Sequence, residues 1–279
     1  MEMVGYGLIV PGGVSFAAMW LAWKVLPAGA RARWANGAAI ALGFIAAFVL
    51  IHGSAAVVPQ RHWQWLPYLS GMAAILGATA LARGVFAAER WLVFLALALA
   101  AAWCLVPTWS TLQPPRLVWI GALTAYFTLL MVLVDGLPQR LQSGPLIAAF
   151  LMTALAVALL VAVELSLVLG QLGAIVLAAL VGCRLAEWRD PLASAARGAI
   201  PVLVVLIGGV AFVAAIEPEQ PVWGLLLAAA APLSLWGLAA GPGARLNGGR
   251  AVVVQIAMLV AWLAVAAALV GMHGSGEEW

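Results

Sequence analysis

Apolar runs of about twenty residues follow one another along almost the whole chain, separated by short segments that hold most of the arginines, acids and prolines. Wound as helices at 1.5 Å per residue, such runs match the roughly 30 Å hydrocarbon thickness of a bilayer. Boundaries set by charges, prolines and glycines predict ten spans, at about 5–26, 37–58, 66–82, 91–107, 117–137, 145–163, 166–184, 199–216, 222–240 and 251–271. Within each run the apolarity is continuous and does not alternate every second residue, which favours helices over the strands of a membrane barrel. The expected fold is all-α: one polytopic integral membrane domain over 1–279, a bundle of about ten transmembrane helices.

The segment from Pro145 to Gly182 tests this threading, because its thirty-eight residues contain a single charge, Glu164. As one helix it would be about 57 Å long, nearly twice the hydrocarbon core. Two helices joined by a tight turn at Glu164–Ser166 fit the thickness. They also keep the later basic loops on the same side as Lys24, Arg31 and Arg33.

Composition sharpens the class. Hydrophobic residues make up 66% of the chain and charged residues 8%, against about a quarter charged in an ordinary soluble domain. The net charge of +3 is not gathered into a basic run, so no nucleic-acid partner is expected. The expected partner is the lipid bilayer, with other membrane subunits and a small-molecule ligand of unknown identity as further candidates. The opening MEMVGYGLIV has an acid and no base before its first apolar run, unlike a cleaved signal peptide, so the first span is expected to stay. Cys104 and Cys183 fall near opposite faces and are expected as free thiols.

Orientation follows from the basic residues, which resist translocation. Alternate loops carry Lys24, Arg31, Arg33, Arg83, Arg90, Arg140, Arg184, Arg189, Arg197, Arg245 and Arg250; the intervening loops carry only Arg61 and Arg116. Glu2, Glu164, Glu217, Glu219, Glu277 and Glu278 fall on the second side. Both termini are therefore expected on the non-cytoplasmic side, in a bacterial cytoplasmic membrane. Most of the fourteen tryptophans lie at span ends, as in an aromatic belt. Trp236 and Trp262 are deeper and are expected to pack between helices.

The two halves are nearly equal in length, a format known from inverted-repeat transporters. Helix breakers do not recur at matching spans, however: Pro11-Gly12-Gly13 interrupts the first and Pro232 the ninth, with no counterparts in the sixth and fourth. Abundant Ala and Gly within the spans predict close helix packing.

Candidate chemistry is sparse, and ionisable groups at membrane depth raise a functional question by default. His52 is placed about 10 Å inside the outer end of span two, with Glu164 and Gln171 at a similar level. Arg61 and Arg116 sit in two outer loops that share Pro and Trp content, and the five residues together define a candidate outer vestibule. Asp135, followed by Gly136, Pro138 and Arg140, reads as an interfacial helix end. Tyr126, with Thr124 and Thr128 at the middle of span five, is a candidate cavity lining. No catalytic, cofactor-binding or metal site is expected. The histidines at 52, 62 and 273 lack ligand spacing, and no phosphate loop or dinucleotide fingerprint occurs. Three functions fit: a small-solute transporter or permease, a non-catalytic structural subunit of a larger membrane complex, and an interfacial lipid-modifying enzyme sited around 52–65 and 108–116.

Overall fold

The computed structural model describes residues 5–82, 87–141, 143–187, 195–218, 221–239 and 249–274. Arg83, Arg189, Arg245, the Gly241-Pro242-Gly243 turn and the acids Glu2, Glu219, Glu277 and Glu278 lie outside them. All regular structure among the described residues is helical, without a strand. One π-turn, Gly5–Ile9, leads into α1 (Val10–Val25). There follow α2 (Ala28–His52), α3 (Leu66–Ala82), α4 (Ala87–Leu105), α5 (Arg116–Gly136), α6 (Ser143–Glu164), α7 (Leu167–Ala186), α8 (Ala195–Ile216), the short α9 (Trp223–Ala229) and α10 (Trp236–Ala239), and α11 (Gly249–Gly274).

Seven described helical stretches are long and apolar enough to cross a membrane; they lie in α1, α2, α5, α6, α7, α8 and α11. Three of the ten expected spans are not among them. α3 has 17 residues, α4 opens on Glu89 and Arg90, and the 222–240 segment is broken. The termini of α2 also differ from expectation. It starts at Ala28 rather than near 37, because arginines are good helix formers and only Pro27 stops the helix. It ends at His52 rather than near 58, where Gly53 turns the backbone at φ +76°.

The long apolar segment folds as two helices, α6 and α7, meeting at Leu165 and Ser166. Ser166 caps α7, its side-chain oxygen accepting from the Leu169 N–H at 3.5 Å. Small residues set the approach of the pair: a Cβ at Gly170 would lie 2.5 Å from the Ala162 Cβ, and one at Gly173 2.9 Å from that of Ala158.

α8 is the axis. Every residue from Gly198 to Ile216 is buried, as expected of a helix apolar on every side, and α2 to α7 all pack on α8. At one crossing the backbones touch: a Cβ at Gly198 would lie 2.2 Å from the Arg33 carbonyl oxygen of α2, and one at Gly37 2.6 Å from the Gly198 carbonyl. α1 and α11 are peripheral, with only 17% of each apolar window buried.

Pro232 explains the break in 222–240. Without an N–H it cannot continue α9, and a 3-10 turn over Ala231–Leu235 replaces the helix before α10 resumes. Neighbouring helices engage the carbonyls at the break. Tyr126 of α5 donates its hydroxyl to Leu226 O at 2.8 Å, and Trp262 of α11 donates its indole N–H to Leu227 O at 2.7 Å. Trp236 in turn donates to Leu133 O at 3.0 Å. Irregular backbone inside a bundle persists where protein partners satisfy it; Tyr126 and Trp262 supply that here, while Trp236 ties the segment to α5, so both tryptophans bond to a neighbouring helix.

Candidate functional site

Two ends of the bundle are distinguished by their arginines. At the Arg61 end, the connection from α2 to α3 is fixed by its own polar residues. The Gln64 side-chain oxygen accepts from the backbone N–H groups of Gln60 and Arg61, at 2.6 and 2.9 Å. Tyr68 donates its hydroxyl to the Val57 carbonyl. Trp63 is buried beneath the loop, its ring 5.1 Å from that of His52 and 5.8 Å from that of Phe48. The loop is thus a built element, with Arg61 exposed on its surface and His62 half-buried.

The connection from α4 to α5 is held in a different way. Arg116 donates Nη2 to the Trp103 carbonyl at 2.9 Å and Nε to the Val106 carbonyl at 3.4 Å, and its guanidinium lies 4.9 Å from the Trp103 ring. A cation thereby sits on the carbonyls at the C-terminus of α4, where the helix dipole is negative. Arg116→Ala is expected to lower stability by about 1–2 kcal/mol, read as a drop in thermal midpoint. Arg116→Lys should recover only part of this, since an ammonium cannot reach both carbonyls in the same fork.

Between these two loops lies a pocket of about 610 Å³, within the size range of small-molecule sites. Arg61, His62 and Trp65 line one side; Trp103, Trp109 and Arg116 line the other; Glu217, just past the end of α8, completes it. His62 stands edge-on to Trp109, ring centroids 5.4 Å apart, and its Nε2 is buried without a hydrogen-bond partner. Burial, with Arg61 beside it, holds the imidazole at a pKa of about 4, well below its usual value. It is therefore neutral at pH 7. Two guanidiniums face one carboxylate, so the pocket carries net positive charge within aromatic walls.

The five residues of the expected vestibule are separated by the fold. Arg61 and Arg116 meet in this pocket, whereas His52, Glu164 and Gln171 are not part of its lining. Gly53 ends α2 at His52, so the imidazole is not 10 Å inside the helix end; its ring packs on Phe48 and Trp63. Glu164 is exposed at the tip of the α6–α7 hairpin, and Gln171 is half-buried one turn into α7. Similar depth along the membrane normal had suggested these as neighbours, but depth says nothing about position around the bundle. His62 and Glu217 are the partners that sequence reasoning missed. The signal for His62 was its adjacency to Arg61 in a Trp-rich turn. The Tyr126 hydroxyl serves the broken segment.

The opposite, Arg33 end holds two polar pairs between helices. Arg90 of α4 and Asp135 of α5 form an ion pair at 2.5 Å, with side chains only 16% and 12% exposed. Asp135 lies at the end of α5, as expected, and is also a buried ion-pair partner. Asn36 of α2 donates Nδ2 to Glu187 Oε1 at 2.6 Å, and both residues are buried. Nothing in the sequence pairs residues 151 positions apart; the lone hint was an asparagine inside an otherwise apolar run. Cys104 and Cys183 are both free, and no group of three metal-ligating side chains occurs among the described residues.

Set against known protein families, curated proteins and solved structures, the chain matches none of them. Its class rests on its own features: an all-helical bundle with seven helices able to cross a membrane, carrying a positively charged, Trp-lined pocket at one end.

Proposed function

We propose that this protein is a multi-pass permease for small organic anions, with the Arg61–Arg116 pocket as its outer vestibule. The observation that carries the reading is that pocket. It is ligand-sized, has a surplus of guanidinium charge, and offers indole faces on which a flat apolar group can rest. The broken segment α9–α10 supports a transport role, because interrupted helices are where transporters build solute sites. His62 Nε2 makes no hydrogen bond to a hydroxyl or thiol, which favours binding over an interfacial enzyme's covalent chemistry.

In this reading all ten segments, including α3, α4 and the broken one, are threaded through a bacterial cytoplasmic membrane. The arginine-poor Arg61 end and both termini face outward, and the Arg33 end, with its many arginines, faces the cytoplasm. Tryptophans near the helix ends form the aromatic belt. A structural-subunit reading draws on the apolar exteriors of α1 and α11, which would bind a stable stoichiometric partner; native mass measurement in mild detergent separates the two.

The vestibule is tested by calorimetric titration of the purified protein with benzoate, benzylamine and inorganic phosphate. Benzoate is expected to bind and benzylamine to be rejected. A bound anion favours the imidazolium form of His62 and the neutral form of Glu217, whose carboxyl burial pushes up, so the complex holds more protons than the free protein and affinity is expected to rise as pH falls from 7 towards 5. His62→Gln should reduce that dependence and His62→Gln with Glu217→Gln should flatten it. Benzylamine binding as tightly as benzoate, or benzoate weakening on acidification, would reject the assignment.

A further inference from the structure

The Arg33 end contains a second polar site that the vestibule reading does not use. Glu187, at the end of α7, is 3% exposed, and Asn36, on the facing side of α2, is 5% exposed. Only one atom of the Asn36 amide is engaged: Nδ2 donates to Glu187 Oε1, while Oδ1 is buried with no hydrogen-bond partner. Arg184 approaches from the preceding turn of α7. Its Nη1 is 4.0 Å from Glu187 Oε2, and that buried nitrogen has no hydrogen-bond partner. These residues border a small cavity that Ile40, Phe150 and Leu203 also line.

We propose that Asn36 and Glu187 form a proton-binding site at the Arg33 end of the bundle. When Glu187 is ionised, its carboxylate accepts from Asn36 Nδ2. A proton taken up from solvent converts the carboxylate to a carboxylic acid. The new O–H then has an acceptor ready in Asn36 Oδ1, reached by a flip of the amide. Both protonation states are thus satisfied by the same residues, and the tie between α2 and α7 survives the exchange.

Among the described residues the surrounding charges are few. Arg184 and the Cys183 thiol lie on α7, Arg33 one turn before Asn36 on α2, and Arg197 two positions before the cavity-lining Ala199 on α8; the α6 side, Leu146, Ile147 and Phe150, carries none. Burial holds the Glu187 carboxyl above its ordinary value, with the Asn36 hydrogen bond and Arg184 acting in the opposite direction. The proton therefore stays on Glu187 to a higher pH than on an exposed glutamate.

Infrared difference spectroscopy of the purified full-length protein, titrated from acid to alkaline pH, tests this without any knowledge of the solute. A protonated-carboxyl band persisting above the ordinary carboxylate range is expected; the buried Asp135 and the partly buried Glu217 add bands of their own, so the Glu187 component is the part that Glu187→Gln removes. Asn36→Ala removes the bond that favours the charged form and should move the Glu187 midpoint upward by about one pH unit, which keeps the test open should Glu187→Gln misfold. A band undiminished by Glu187→Gln, or a Glu187 midpoint unmoved by Asn36→Ala, overturns the site. Because the readout is a carboxyl titration, it stands or falls separately from anion binding at the vestibule.

Discussion

Replacing Gly198 by leucine is expected to abolish the folded bundle. The Cβ alone would lie 2.2 Å from the Arg33 carbonyl oxygen, and the obstacle is backbone, which cannot swing aside as a side chain can. Gly37 and Gly77 close the same point, since Cβ atoms there would sit 2.6 and 3.1 Å from the Gly198 carbonyl oxygen. Three helices therefore meet through glycine, and α8, the buried axis of the bundle, cannot shift without disturbing contacts along its whole length. Overpacking typically costs about 1–3 kcal/mol where side chains can adjust. Here the cost should exceed about 4 kcal/mol for leucine, with Gly198→Ala already lowering the thermal midpoint. Gly121 supplies the control: a Cβ there meets nothing within 4 Å, so Gly121→Leu should purify like the unaltered protein. Monodisperse Gly198→Leu protein with an unchanged melting temperature would show that the crossing is looser than the geometry implies.

Arg90→Ala is expected to be nearly as damaging, at about 3–5 kcal/mol. Its partner Asp135 is 12% exposed along the side chain, and removing the guanidinium strands a carboxylate in a site where water cannot replace the lost bond. Arg197 also acts on Asp135, so part of the charge remains compensated and the loss should fall towards the lower figure. The diagnostic measurement is a double-mutant cycle. Arg90→Met combined with Asp135→Leu removes both charges and should recover much of the stability lost in either single variant, because an apolar pair of similar volume needs no compensation. Strict additivity of the two losses would mean that the ion pair does not hold α4 to α5.

These two sites illustrate what the sequence could and could not supply. The helices themselves are legible because each requires about twenty apolar residues, and interruptions by Pro, Gly and charge mark where they stop. The turn at Leu165–Ser166 is readable from length alone. Helix ends are less so: the basic start of α2 looks like a loop until one notes that arginine does not break helices, and its other end depends on Gly53 rather than on Pro59. Lateral neighbours are the least legible. Apolar faces on every side of α8 leave no periodic stripe to say which helix it meets, and contacts such as Gly198 with Arg33 or Asn36 with Glu187 join residues far apart in the chain. The vestibule falls between these cases. Arg61 and Arg116 share a pocket because their loops have alike compositions and occupy one end, but His52, Glu164 and Gln171 matched only in depth, and the fold sends them elsewhere.

The permease reading is tested most directly by counterflow in proteoliposomes. Vesicles loaded with unlabelled benzoate and diluted into a trace of labelled benzoate should accumulate label transiently when they contain the protein. Arg61→Glu, which reverses the charge at the mouth of the vestibule on an exposed residue, should reduce the initial rate by at least about tenfold, since its net effect at the pocket exceeds 1.4 kcal/mol at modest screening. Label entering protein-free vesicles at the same rate, or an Arg61→Glu protein as active as the unaltered one, would contradict the account.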